Sequence, residues 1–180
     1  SGTGVVTGVT AGTSVMTYTV TDGNGCMSSA MATVTVNQFV APATVFTESM
    51  GSVGSTTLIT AHESANGFDN DGFTMSGSGD VRNTTSSSGY TGASGAANVF
   101  LTSGGTRTFE IAGINTSGFS NLVLSFGVYK NDAATTGSDL SVEVSSNGTT
   151  YMPLSVPALG SSIAWYYRTA TGAIPSTANL

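Results

Sequence analysis

The chain has 180 residues, with 24 Gly, 4 Lys or Arg, 10 Asp or Glu and a formal net charge of −6. Charged residues make up 8% of it, against about 25% in an ordinary domain, so neither a charge-rich disordered tail nor a collagen-like repeat fits. The cations Arg82, Arg107, Lys130 and Arg168 stand singly, which argues against nucleic acid as a partner, and no apolar run approaches the roughly 20 residues of a membrane helix.

The sequence opens on Ser1-Gly2-Thr3 in mid-pattern, with no initiator Met and no secretory leader, as expected of a mature product or a segment of a longer chain. Val alternates with Thr and Ser, and Asp-Gly or Asn-Gly pairs recur at Asp22-Gly23, Asn24-Gly25, Asn66-Gly67, Asp71-Gly72 and Asn147-Gly148. Period-two patterning between positive-φ turn residues predicts antiparallel strands, and no window carries a convincing helical period, so the expected fold is all-β. Three strands are expected at 4–13, 14–22 and 31–37. Along the second, Val15, Thr17, Thr19 and Thr21 share one face, and Met16, Tyr18 and Val20 the other. Three strands do not close a sandwich, so 1–37 reads as the C-terminal part of a domain. A linker at 38–42, marked by Pro42, leads into a second unit at 43–180. Its strands are expected near 43–49, 56–61, 68–76, 98–102, 106–113, 120–129, 139–146, 150–155 and 161–169, with a low-complexity loop over 77–95.

The run Val6-Thr7-Gly8-Val9-Thr10-Ala11-Gly12-Thr13, the turn Tyr18-Thr19-Val20-Thr21-Asp22-Gly23-Asn24-Gly25-Cys26 and the exit Thr33-Val34-Thr35-Val36 resemble the last strands of bacterial immunoglobulin-like repeats. Such repeats act as spacers in large surface adhesins of gliding, type IX-secreting bacteria. Three further stretches, Asn66–Gly77, Phe109–Gly127 and the hairpin Leu140–Leu154 with its Ser145-Ser146-Asn147-Gly148 turn, resemble galactose-binding-like and MAM-like jelly-roll domains. The resemblance implies a partial immunoglobulin-like β-sandwich followed by a jelly-roll β-sandwich. Its usual closing acidic strand is missing after Arg168. In the resembled repeats the Asn-Gly-Cys cysteine pairs with one in the front half, so Cys26 is read as having lost that partner, the alternative being a functional thiol.

Little in the sequence carries reaction chemistry. There is one His (His62) and one Cys (Cys26), too few for a Cys/His zinc site, and no G-x-S-x-G elbow is present. His62 is expected at a loop or strand end, making ordinary hydrogen bonds. For a metal, Asp69, Asn70 and Asp71 offer clustered oxygens of the kind Ca²⁺ takes, and the jelly-roll resemblance implies that Glu48 joins them around a structural calcium. The same run reads equally as an exposed Asx turn. Trp165 and Tyr167 share one strand face with Tyr166 on the other, which makes Trp165 and Tyr167 candidates for carbohydrate stacking or for core.

The expectation is a non-enzymatic, extracellular cell-surface segment of an adhesin or fibre. Its partner is a surface or extracellular glycan or protein, with homo-polymerisation also open. Two alternatives stand beside it: a carbohydrate-binding module of a secreted multidomain hydrolase, and a filament subunit completed by a neighbour's strand.

Overall fold

Eleven short strands and one short helix make up the regular structure of the described residues, and every strand pairing is antiparallel, so the chain is all-β. A computed structural model describes residues 5–38 and 42–180. The chain divides into two compact units, Ser1–Ala43 and Thr44–Leu180. Residues 39–41 of the expected 38–42 linker, and 4 of the first expected strand, lie outside the described residues. Among the described residues no helix is long and apolar enough to cross a membrane.

The first unit is a β-ribbon of two strands, β1 (Gly12–Thr21) and β2 (Met27–Val36), paired without a bulge from Gly12↔Val36 to Thr21↔Met27. The Asp22 carboxylate closes the turn by accepting the backbone N–H of Asn24 and of Cys26, both at 2.9 Å. Residues 5–11 form no strand, contrary to expectation. Gly8 interrupts that stretch, which weakens strand structure, and lies against the Val36 side chain. The register sets Met16, Tyr18, Val20, Ala30, Ala32, Val34 and Val36 on one face, and six Thr with Val15, Ser29, Met27 and Met31 on the other.

The second unit holds four small sheets: β3 (Thr57–Leu58), β5 (Asp80–Arg82) and β6 (Asn98–Phe100) in the order β3-β5-β6, β4 (Thr74–Gly77) with β7 (Phe109–Ala112), β8 (Leu124–Lys130) with β11 (Ala164–Ala170), and β9 (Val142–Val144) with β10 (Met152–Leu154). The strand expected at 56–61 is two residues of β3 followed by α1 (Ile59–Ser64). The helix forms because Ile59 and His62, one turn apart, both drop into the core. It ends in a Schellman closure. Asn66 takes φ 51°, its N–H bonds Glu63 O, and Gly67 N–H bonds His62 O, so a pair that reads as a hairpin turn serves as a helix C-cap. Strand β5, missed inside the low-complexity loop, is held by buried Val81 and by Arg82, whose guanidinium donates to Asp80 at 2.9 Å and lies over the Phe100 ring.

Two apolar clusters fill this unit. Ile59, Phe68, Met75, Val81 and Ala97 form one, and Val144, Leu154 and Ala170 the other. The second is lined by Leu124 and Phe126 from β8 and by Ile174 and Leu180 from the last residues of the chain. That last segment runs along 113–116. Leu180 N–H donates to Ile114 O at 2.9 Å, Thr116 N–H to Thr177 O at 2.7 Å, and the buried Thr116 hydroxyl to Pro175 O at 2.8 Å.

At the end of β8 the Lys130 side chain is buried, and its ammonium donates to Thr135 O at 2.6 Å, Gly160 O at 2.7 Å and Ala133 O at 3.1 Å. It thereby ties the 131–137 and 155–163 loops to the strand. Lys130→Met keeps the stem and strips three carbonyls of their donor. We expect it to lower unfolding free energy by about 3 kcal/mol, read as a reduced urea midpoint at unchanged m-value. A midpoint equal to wild type would show that the ammonium is dispensable.

Candidate functional site

The β8–β11 pairing places Ser125↔Thr169, Gly127↔Tyr167 and Tyr129↔Trp165 on one face. The opposite face carries Leu124, Phe126, Val128 and Lys130 with Ala170, Arg168, Tyr166 and Ala164, and its Leu124, Phe126 and Ala170 belong to the second apolar cluster. Trp165 and Tyr167 are therefore brought together on the face turned away from that core, and Tyr166 lies on the other, as alternation requires. Tyr166 donates its hydroxyl to Ser162 O at 2.7 Å, and the Arg168 guanidinium, 4.9 Å from that ring, donates to Pro157 O and Ala158 O.

Two further rings complete the face. Tyr129, directly across from Trp165, stands 5.6 Å from it between ring centroids. Tyr90, from the 83–97 loop, lies on the bare backbone of Gly127, where a Cβ would collide with its phenol oxygen. Its ring is 5.7 Å from Tyr167 in a stacked arrangement and 6.3 Å from Trp165. Tyr167 is 51% exposed and Tyr129 37%. Beneath them the Trp165 indole N–H is buried and has no hydrogen-bond partner, alone in this among the side-chain polar atoms of the described residues. A hydroxyl pair, Ser125 and Thr169 at 2.9 Å, continues the face. Aromatic surface edged by hydroxyls, with an unused donor, can bind a ligand that presents apolar C–H faces and acceptor oxygens together.

Alternation in the sequence sets Trp165 and Tyr167 on one face, as the structure has them, but points to neither Tyr90 nor Tyr129 beside them. Tyr129 joins through a pairing across more than thirty residues, which local alternation does not reveal. Tyr90 sits in a loop whose Ser/Gly composition gives no direction to any side chain. The only available signal was Gly127 itself, a glycine inside an apolar strand, which marks a close approach of another group.

The remaining candidates have other roles. His62 belongs to α1 rather than to a loop or strand end. It is buried, with Nε2 3.2 Å from Met50 O and the ring edge-on to Phe68 at 4.6 Å. Gly67 packs directly on the imidazole, leaving no room for a Cβ or a substrate. Cys26 is exposed and unpaired at the end of the ribbon turn. On β7, Glu110 accepts the Tyr151 hydroxyl at 3.1 Å, and this bond, ahead of desolvation and the nearby negative charge, raises the Tyr151 pKa above its ordinary value.

Glu48, Asp69 and Asn70 converge, while Asp71 is exposed and takes no part in their bonding. Glu48 Oε1 accepts Met50 N–H at 2.8 Å and Asp69 N–H at 3.0 Å, and Glu48 Oε2 accepts the Asn70 amide at 2.9 Å. Asp69 in return accepts Ser49 N–H at 2.9 Å. Calcium needs six to eight inward oxygens, and here N–H donors point at the carboxylates instead. The donor set does not fit the cation that the resemblance implied. It fits a clamp that fastens the strandless 44–54 segment, expected to start as a strand at 43–49, to the loop after α1.

Comparison with protein-family models, curated proteins and solved structures found no match to this chain.

Glu48→Ala leaves the Met50 and Asp69 backbone N–H groups without an acceptor and the Asn70 amide with Thr47 O alone. We expect a stability loss of about 2 kcal/mol, equal in millimolar calcium and in excess chelator. A wild-type melting temperature that rises with added calcium would instead establish a cation at the clamp.

Proposed function

We propose that the chain is a non-enzymatic segment of an extracellular, cell-surface protein that acts in attachment, its second unit making the contact and its first serving as part of a spacer. The exposed aromatic face of β8–β11 carries this reading, because rings left open at a surface are the usual core of a contact site. The β8 and β11 residues on that face include no charged side chain and no nucleophile–base pair, and His62 is enclosed elsewhere. Binding is therefore the chemistry this face supports. An immunoglobulin-like tail followed by a jelly-roll module is the domain reading that goes with it.

The ribbon favours a second reading, self-assembly. From Gly12 to Val36 it contains no Pro and no bulge, Asp22 in the turn is its sole charge, and each strand keeps one edge unpaired among the described residues. Edges without such blocking features accept another strand.

Chain labelled on Cys26 is expected to be retained on intact cells or their extracellular matrix, and the Tyr129→Ala/Tyr167→Ala variant to be washed off at least about tenfold more readily, the scale of losing two exposed ring contacts. Equal retention of both would remove the face from the function. For self-assembly, light scattering across a concentration series is expected to show mass rising above the monomer. A concentration-independent monomer would eliminate that reading.

A further inference from the structure

We propose that the ligand of the β8–β11 face is an uncharged carbohydrate, whose rings stack on Tyr167 and Tyr129 and whose hydroxyl oxygen accepts the Trp165 indole N–H once the Tyr90 ring moves aside. The proposal rests on the attachment reading above and specifies its ligand class.

Three observations carry it. First, the face is aromatic and neutral. Arg168 and Lys130 belong to the opposite face of the same strand pair, and both cations are engaged with backbone carbonyls of neighbouring loops. An acidic glycan finds no counter-charge on β8 or β11 here, whereas a sugar ring presents apolar C–H groups that suit ring faces. Second, the Trp165 N–H is a buried donor without an acceptor. Such a group is unfavourable while unmatched, and a ligand oxygen that reaches it gains more than the same bond would at a hydrated site. A purely apolar ligand would leave the donor as it is, so this feature favours a polyhydroxylated one. Third, Tyr90 is held on Gly127 by contact alone. Its hydroxyl takes part in no hydrogen bond among the described residues, and it belongs to a Gly- and Ser-rich loop. It can leave Gly127 without breaking a polar contact of its own, and its departure uncovers both the Gly127 backbone and the edge of Trp165.

Trp165 is the only tryptophan in the chain, so its emission reports on this face alone. The test titrates the whole chain with cellohexaose, xylohexaose, mannohexaose and a galactan oligosaccharide, with polygalacturonate as the acidic counterpart. We expect a saturable change in Trp165 emission with at least one neutral oligosaccharide and a weaker response to polygalacturonate. Tyr167→Ala should reduce affinity about tenfold with circular dichroism and melting temperature unchanged, since that ring is half exposed. Gly127→Ala, which displaces Tyr90 without touching a stacking ring, should leave affinity equal or higher. The proposal is overturned if no neutral oligosaccharide changes the emission, if polygalacturonate binds tighter than all of them, or if Tyr167→Ala binds as wild type. Cell retention separates the two levels of failure. Retention that depends on Tyr129 and Tyr167 without any oligosaccharide binding means a non-carbohydrate ligand at a real attachment face, whereas absent retention removes the attachment reading itself.

Discussion

Backbone polar groups that no strand ladder reaches are the constraint on which the second unit depends. Its strands are two to seven residues long, so much of the chain between them must find hydrogen-bond partners elsewhere or lose stability at every buried group. The loop at 157–162 shows the solution. Lys130, Tyr166 and Arg168, all projecting from one face of β8 and β11, donate to the carbonyls of Pro157, Ala158, Gly160 and Ser162. The Glu48–Asp69–Asn70 clamp does the same for N–H groups, and Thr116 does it for the last residues of the chain. The abundance of Ser, Thr and Asn follows. These short side chains match backbone donors and acceptors at close range, and the core needs few large residues once they do.

The same economy of charge shapes the surface. Of four cations, Lys130 and Arg168 are bound to carbonyls and Arg82 to Asp80, so the chain presents little positive potential. Its aromatic face has evolved no ionic neighbour on the strands that carry it. A ligand at that face, as proposed above, would be selected by shape and hydroxyl geometry rather than by charge.

The class of the fold was readable in the sequence because period-two alternation survives in the strands that have a buried side. β8 and β11 show it directly, and the Trp165/Tyr167 face follows from it without further information. The errors arise where a different interaction outweighs local pattern. Thr56-Thr57-Leu58-Ile59-Thr60 is rich in β-branched residues and reads as a strand, yet burial of Ile59 together with His62 favours a helical turn. Phe68-Asp69-Asn70-Asp71-Gly72 has the oxygen density of a cation loop, but what those oxygens meet depends on residues some twenty positions away, and here the Ser49 N–H reaches the Asp69 carboxylate. Val45 and Phe46 suggest a strand, yet side chains rather than a neighbouring ladder hold that segment. Tyr90 was beyond reach because its place is dictated by an empty position on Gly127 and not by its own neighbours in sequence.

The pairing of Gly12 with Val36 at the open end of the ribbon has a mechanical consequence. Force applied through the backbone on either side enters at two facing residues, so the load falls on one rung at a time and the ladder unzips instead of shearing. Under tension the 25 residues from Gly12 to Val36 would pay out about 80 Å of contour, released rung by rung.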